Sequence, residues 1–86
     1  MSYFEYTFTG EVDSNLEEKT EFLVKSVYEN NAPYYLVKYY DTVINDNKKE
    51  RTFILTSALN IKDYIHNNIF NNCKMNVEVY FKQRIY

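Results

Sequence analysis

Tyr34-Tyr35-Leu36-Val37-Lys38-Tyr39-Tyr40, the polar run Asn45-Asp46-Asn47-Lys48 and Arg51-Thr52-Phe53-Ile54-Leu55-Thr56 make up the stretch on which the fold turns. Two segments rich in aromatic and β-branched residues flank a short Asn/Asp-rich connection that tolerates positive φ without glycine, which predicts a β-hairpin. Its first strand, 34–44, carries four of the ten tyrosines. The Lys48-Lys49-Glu50-Arg51 run reads as a solvated turn, because too few basic neighbours stand by to make a phosphate site.

Upstream, residues 3–9 alternate strictly. Phe4, Tyr6 and Phe8 fall on one face, with Tyr3, Glu5, Thr7 and Thr9 on the other, as in a half-buried strand. Gly10, the only glycine, is expected to end or bulge it. Asp13-Ser14-Asn15 then offers three helix N-caps, and Ser14 with Glu17 has capping-box spacing. Leu16, Thr20, Leu23, Val24, Val27 and Tyr28 follow at helical spacing, Asn30-Asn31 can cap the end, and Pro33 blocks continuation. A rival reading exists for 20–29, where Thr20, Phe22, Val24, Ser26 and Tyr28 also alternate as a strand would. The cap, the acidic first turn and the six-position stripe favour helix over 16–29.

Downstream, Thr56 or Ser57 is expected to cap a second helix with the stripe Ala58, Ile61, Ile65, Ile69, its end frayed by Asn67-Asn68 and Asn71-Asn72. Met75, Val77, Val79 and Phe81 alternate with Asn76, Glu78, Tyr80 and Lys82 in a last strand running close to Tyr86. The order β-α-β-β-α-β predicts a ferredoxin-like α+β sandwich over 1–86, a single compact domain. Its four-stranded antiparallel sheet, in the order 4-1-3-2, would be covered on one face by two helices. Phe4, Tyr6, Phe8, Phe53, Leu55, Val77, Val79 and Phe81 would pack against Leu23, Val27, Ile61 and Ile65. The alternative is a mainly-β meander or small barrel with one helix near 57–71.

The 86 residues are 45% apolar and 19% aromatic, enough for a core without disulfide or metal. Cys73 stands alone, which leaves no internal disulfide and no multi-cysteine zinc site; it is read as a small buried or half-buried residue. His66, the only histidine, is expected on a helix surface, and nothing pairs it with Cys73. The carboxylates of Glu17, Glu18 and Glu21 are explained by capping and dipole compensation, and one glycine leaves no phosphate-cradling loop. An acylphosphatase of this topology would need an arginine in 10–16, where there is none. The expectation is a non-enzymatic protein with no catalytic residue, no metal and no cofactor.

A net charge near −2 and only two arginines, Arg51 and Arg84, disfavour nucleic acid as a partner. RNA-recognition domains of this topology stack bases on outward aromatics of strands one and three, and strand three here offers Thr52, Ile54 and Thr56. No run approaches the roughly 18 apolar residues of a membrane span, and the first five residues lack a basic and an apolar leader region. The expected location is cytoplasmic, in the host cell if the gene is phage-borne. Phe, Tyr, Met, Ile, Asn and Lys supply 43 residues against six of Gly, Ala, Arg and Pro, the bias of an AT-rich genome such as those of low-GC bacteria, their phages and large DNA viruses.

The remaining signal is the sheet face that no helix covers. With Tyr35, Val37, Tyr39 and Val43 pointing inward, Tyr34, Leu36, Lys38, Tyr40 and Ile44 point out, beside Tyr3, Glu5, Thr7, Ile54, Glu78, Tyr80 and Lys82. The opposite register would expose Tyr35 and Tyr39 instead. Tyrosine supplies large contact area at low rotamer cost and keeps a hydroxyl. Tyr3, Tyr34, Leu36, Lys38, Tyr40 and Tyr80 are therefore the candidate partner-binding residues, and the expected partner is another protein. The expected role is an accessory protein of a phage or mobile element that inhibits or sequesters a host or defence protein, with an immunity- or antitoxin-type binder, or an RRM-like single-stranded nucleic-acid binder, as the alternatives. Strand 34–44 is also an edge in the 4-1-3-2 order, so a homodimer through it is a second docking mode.

Overall fold

A computed structural model describes residues 2–29 and 32–83. The elements run β1 (Ser2–Glu11), α1 (Ser14–Tyr28), β2 (Tyr35–Asn45), β3 (Lys48–Ser57), α2 (Lys62–Asn68) and β4 (Met75–Gln83). All pairings are antiparallel and the sheet order is β2-β3-β1-β4. Two helices on one face of this sheet make the ferredoxin-like arrangement expected from the element order. The mainly-β alternative is thereby set aside.

The contested segment is helical. Asp13, extended at φ −137° and ψ −178°, is the N-cap, and its carboxylate accepts from the Leu16 amide at 2.8 Å. Ser14 is thus the first helical residue rather than the cap. Leu16, Thr20 and Leu23 are buried and Val27 is half-buried, while Phe22, Val24 and Tyr28 face solvent. The strand-like alternation over 20–28 arises because a helix puts both parities on every face; its apolar members, Phe22, Val24 and Tyr28, are the exposed ones. The cap expected of Asn30-Asn31 lies outside the described residues, as does the chain beyond Gln83.

In β1, Phe4, Tyr6, Phe8 and Gly10 turn toward the helices. Gly10 neither ends nor bulges the strand, since it pairs with both Arg51 and Met75. A Cβ there would run into the Met75 sulfur and stand 3.1 Å from the Lys74 carbonyl oxygen, so glycine permits the close approach. The β2–β3 hairpin closes through Asp46-Asn47, with the Asn45 side-chain oxygen accepting from the Asn47 amide at 2.9 Å.

α2 is shorter than its stripe suggests. Ser57 does not cap it. Ser57 ends β3, donates to the Pro33 carbonyl at 2.9 Å and accepts from the Leu59 amide at 3.1 Å, tying the α1–β2 connection to the sheet. The helix begins at Lys62, whose amide donates to Asn60 Oδ1 at 3.4 Å, while the N-cap residue Ile61 supplies no side-chain bond of its own. The buried Tyr6 hydroxyl serves the loop before it, donating to the Leu59 carbonyl at 3.0 Å and accepting from the Ile61 amide at 2.8 Å. Burial raises the Tyr6 pKa, and the Ile61 amide partly offsets this.

The core comprises Tyr6, Phe8, Leu16, Leu23, Tyr34, Phe53, Leu55, Ile65, Ile69 and Phe70. Three residues depart from the expected packing, and Tyr34 is a fourth. Val79 and Phe81, expected inside, are 37% and 65% exposed, because a seven-residue α2 does not extend over that end of β4. Phe70, at the expected frayed end of α2, is fully buried with ring centroids 5.0 Å from Phe8 and 5.3 Å from Phe53.

Tyr34, placed outward by the sequence pattern, is 2% exposed and its hydroxyl finds no hydrogen-bond partner among the described residues. It sits near Ser26, whose own hydroxyl donates to the Phe22 carbonyl. Burial raises its pKa. The two buried tyrosines therefore make opposite predictions. Tyr6→Phe orphans a carbonyl and an amide and should cost about 2 kcal/mol, whereas Tyr34→Phe removes an unpaired polar group and should be neutral or stabilising. Urea unfolding of both variants checks this; equal costs would contradict it.

Candidate protein-binding face

The open face is built from four strands in register, and its rows follow from the pairing. One row runs Tyr40, Thr52, Thr9, Asn76; the next Lys38, Ile54, Thr7, Glu78; the next Tyr35, Thr56, Glu5, Tyr80. Tyr3 and Lys82 pair beyond them. Tyr35, Tyr40 and Tyr80 are 67%, 49% and 43% exposed. The centre of the face is polar and tied, with the Thr9 and Thr52 hydroxyls 3.1 Å apart. At the β4 side the Tyr80 hydroxyl donates to the Glu78 carboxylate, and the Lys82 ammonium lies 5.5 Å from the Tyr80 ring centroid. That hydrogen bond and the Glu78 charge hold the Tyr80 hydroxyl above its ordinary pKa, so it stays a neutral donor.

The sequence-assigned residues divide. Lys38, Tyr40 and Tyr80 stand exposed on this face, and Tyr3 is half-buried on it. Tyr34 is in the core. Leu36 pairs with Leu55 and turns to the helix side, half-buried. The cause is a register irregularity between Leu36 and Lys38, where Val37 has no partner on β3. A bulge inserts one residue, so parity reverses across it. Tyr39 and Val43 point inward as expected, but Tyr35 points out. The adjacent apolar pair Leu36-Val37 was the local sign of the bulge.

The bulge also shapes the surface. Tyr3, Glu5, Tyr35, Val37, Thr56 and Ala58 line a depression of about 370 Å³ where β1 begins. Sequence reasoning missed Tyr35 and Val37 here, since the parity assumed for β2 turned both inward. The bulge divides the β2 edge as well, leaving Tyr35–Leu36 on one side and Lys38–Val43 on the other, with a second irregularity at Ile44. Interrupted edges resist strand addition.

Behind this face, on the helix side, lies the main charge cluster among the described residues. Arg51, expected in a solvated turn, is 7% exposed within β3. Its Nε and Nη2 donate to the two Asp41 carboxylate oxygens at 2.6 and 3.0 Å, and Nη1 donates to Thr20 Oγ1 at 2.9 Å and meets Glu17 Oε1 at 2.5 Å. The Tyr39 ring centroid lies 5.0 Å from the guanidinium carbon. Hydrogen bonding to Asp41 pushes the Arg51 pKa up, and Arg51 holds the Asp41 carboxyl below the usual carboxylate range. With Thr20 in turn donating to the Leu16 carbonyl at 2.8 Å, the cluster ties α1, β2 and β3 together. All three guanidinium nitrogens are already engaged by protein groups, which makes the cluster a structural tie rather than an anion site.

Cys73 is half-buried and accepts from Asn15 Nδ2 at 3.3 Å. Burial, and secondarily the Asp13 charge, raise the thiol pKa, so the nucleophilic thiolate is scarce at neutral pH. His66 is exposed on α2. Among the described residues no three His, Cys, Asp or Glu side chains converge as a metal site would require, and no helix is long and apolar enough to cross a membrane.

No protein-family profile matches the chain, and no curated protein matches it. Among solved structures, the chain is similar to LarC2, the C-terminal domain of a cyclometallase involved in synthesis of the NPN cofactor of lactate racemase, in its apo form. The TM-score is 0.62 at 14% identity, over 99% of this chain and 58% of that one, so the chain spans little more than half of its length. It also overlies the de novo designed protein Foldit4 at a TM-score of 0.48 and 9% identity, covering 98% of each. The likeness to LarC2 concerns the fold.

Proposed function

We propose that this chain is a small non-enzymatic binding domain that docks another protein on the open face of its sheet, with Tyr35, Tyr40 and Tyr80 as anchors around Lys38 and Tyr3. One observation carries the reading: three tyrosines stand 43–67% exposed on a sheet face that no helix covers. Exposed aromatics with a polar surround are the composition of protein interfaces. Charge favours the same class of partner. The face carries Glu5, Glu11, Glu50 and Glu78 against Lys38, Lys48 and Lys82, a mixed and slightly acidic balance that offers a phosphate backbone no basic stripe. The AT-rich composition suits an accessory protein of a phage or mobile element that occludes a host or defence protein.

The test is capture of partners from the source cell by the wild type and by a Tyr35→Ser/Tyr40→Ser/Tyr80→Ser variant. The expected result is a protein retained by the wild type at physiological salt and lost, by 100-fold or more (about 2.7 kcal/mol), in the variant, whose thermal unfolding stays within a few degrees of wild type. Equal retention by both proteins contradicts the reading. Oligonucleotide binding that falls steeply with salt would replace it with a nucleic-acid binder.

A further inference from the structure

The two edges of the sheet differ. β2 carries two register irregularities and lies close behind Pro33, whereas β4 pairs with β1 through nine consecutive residues without a break, from Met75–Gly10 to Gln83–Ser2. Among the described residues no strand pairs with the other side of β4, and the strand holds no proline. Natural sheets blunt such edges with bulges, prolines or charged side chains. Here β2 is blunted by its irregularities, whereas β4 carries only the charges of Glu78 and Lys82, which are opposite in sign and can pair across a two-fold axis.

β4 also presents apolar surface on the helix side. Val79 and Phe81 are exposed there, and the ring of Phe81 lies against Phe4, 5.3 Å between centroids. On the open side the same strand carries Glu78, Tyr80 and Lys82, with Tyr80 midway between opposite charges. Spacing of this kind is self-complementary. When two copies of the strand run antiparallel about a two-fold axis at Tyr80, each residue stands opposite the one equally far beyond Tyr80 in the second copy. Glu78 then faces Lys82 of the second copy and Lys82 faces Glu78, Tyr80 faces Tyr80, Val79 faces Phe81, and Val77 faces Gln83. Directly opposed residues in an antiparallel pair are close enough for opposite charges to attract and for an aromatic to cover an aliphatic. The axis is perpendicular to the sheet, so both helix layers stay on one side. Centring the axis on Val79 instead sets Glu78 against Tyr80 and leaves the charges unmatched.

We infer that β4 is a self-association edge: two copies of this chain join through antiparallel β4–β4 pairing, in the Tyr80-centred register, into a continuous eight-stranded sheet. This goes beyond the partner-binding reading. It concerns the edge rather than the face, and it extends the open face of one copy into that of the other. The interface is one strand wide, so the dimer is weak and forms with rising concentration.

Sedimentation equilibrium on the full chain tests it, together with two charge reversals at exposed positions, Lys82→Glu and Glu78→Lys. The expected wild-type mass rises with concentration from 10.4 kDa toward twice that value. Each reversal places like charges opposite one another twice, and should weaken self-association roughly 10- to 100-fold. Mixing the two variants restores attraction at both contacts, because the acidic pair on one copy then faces the basic pair on the other, and should return a heterodimer at wild-type strength. Circular dichroism of each variant, and recovery on mixing, separate loss of association from loss of fold. A wild type that stays monomeric at millimolar concentration overturns the inference. Variants that still dimerise alone, or fail to associate when mixed, overturn the register.

Discussion

Phe70→Ala is expected to remove about 3–5 kcal/mol of folding stability, the usual cost of emptying a fully buried aromatic site. Phe70 is inaccessible to solvent and lies against Phe8 of β1 and Phe53 of β3, so it is the aromatic that covers the middle of the sheet. The backbone holds it there: Ile69 and Phe70 both donate to the Ile65 carbonyl, at 3.0 and 3.1 Å, and the Phe70 carbonyl accepts from Cys73 at 3.0 Å. Three backbone hydrogen bonds thus fix the closing turn of α2, which opposes collapse of the neighbours into the void. A domain of this size has about 5–15 kcal/mol in all, so the melting temperature should fall by roughly 15–30 °C. Phe70→Leu, which keeps most of the volume, should cost no more than about 1.5 kcal/mol. A loss below about 1 kcal/mol for the alanine variant would mean that Phe70 is not packed as described.

Asp41→Ala should cost about 3 kcal/mol, more than the roughly 2 kcal/mol expected of Arg51→Met. The asymmetry follows from burial. Arg51 is the desolvated member, its side chain 9% exposed against 29% for Asp41. Removing Asp41 strands a buried guanidinium whose Nε and Nη2 lose their acceptors, while removing Arg51 leaves carboxylates that water can reach. Methionine also keeps much of the contact with Tyr39. The Glu17 partner, 56% exposed, should be worth less than about 1 kcal/mol. Denaturant melts of the two single variants and the double variant form the cycle that checks this. If the single-variant order is reversed, Arg51 is not the desolvated member.

The same pair sets an acid limit. The Asp41 carboxyl titrates lower in the folded chain than in the unfolded one, chiefly through its hydrogen bonds from Arg51. A lowered folded value means that the stabilisation is complete above the unfolded carboxylate range, near about pH 4, and is lost as pH falls through the folded value. Wild-type stability should therefore drop below about pH 4 more steeply than that of Asp41→Asn. Parallel acid profiles would show that Asp41 is not the linked group.

Much of the fold was legible in local sequence. Phe4, Tyr6 and Phe8 alternate because one face of β1 is buried, and Asp13 or a neighbour had to cap a helix whose apolar positions recur every three to four residues. Element order and the right-handedness of crossovers then left one economical sheet order. Function was less legible. Exposed tyrosines and core tyrosines have the same letter, and parity along β2 depends on whether the ladder with β3 is regular. A single bulge at Val37 sent Tyr34 and Leu36 inward and Tyr35 out, while Lys38 and Tyr40 kept their side.

The amino-acid sequence by itself determined the element types, the hairpin and the open sheet face, because periodicity and capping act over a few residues and need no distant partner. Tertiary structure alone decided what depends on distant groups. It showed that Arg51 is a buried tie rather than a turn residue, because its carboxylate and hydroxyl partners come from β2 and α1. It placed Phe70 in the core, because the end of α2 turns back over β1 and β3. It assigned the hairpin of Tyr34–Thr56 its faces, because the bulge exists only where β2 meets β3.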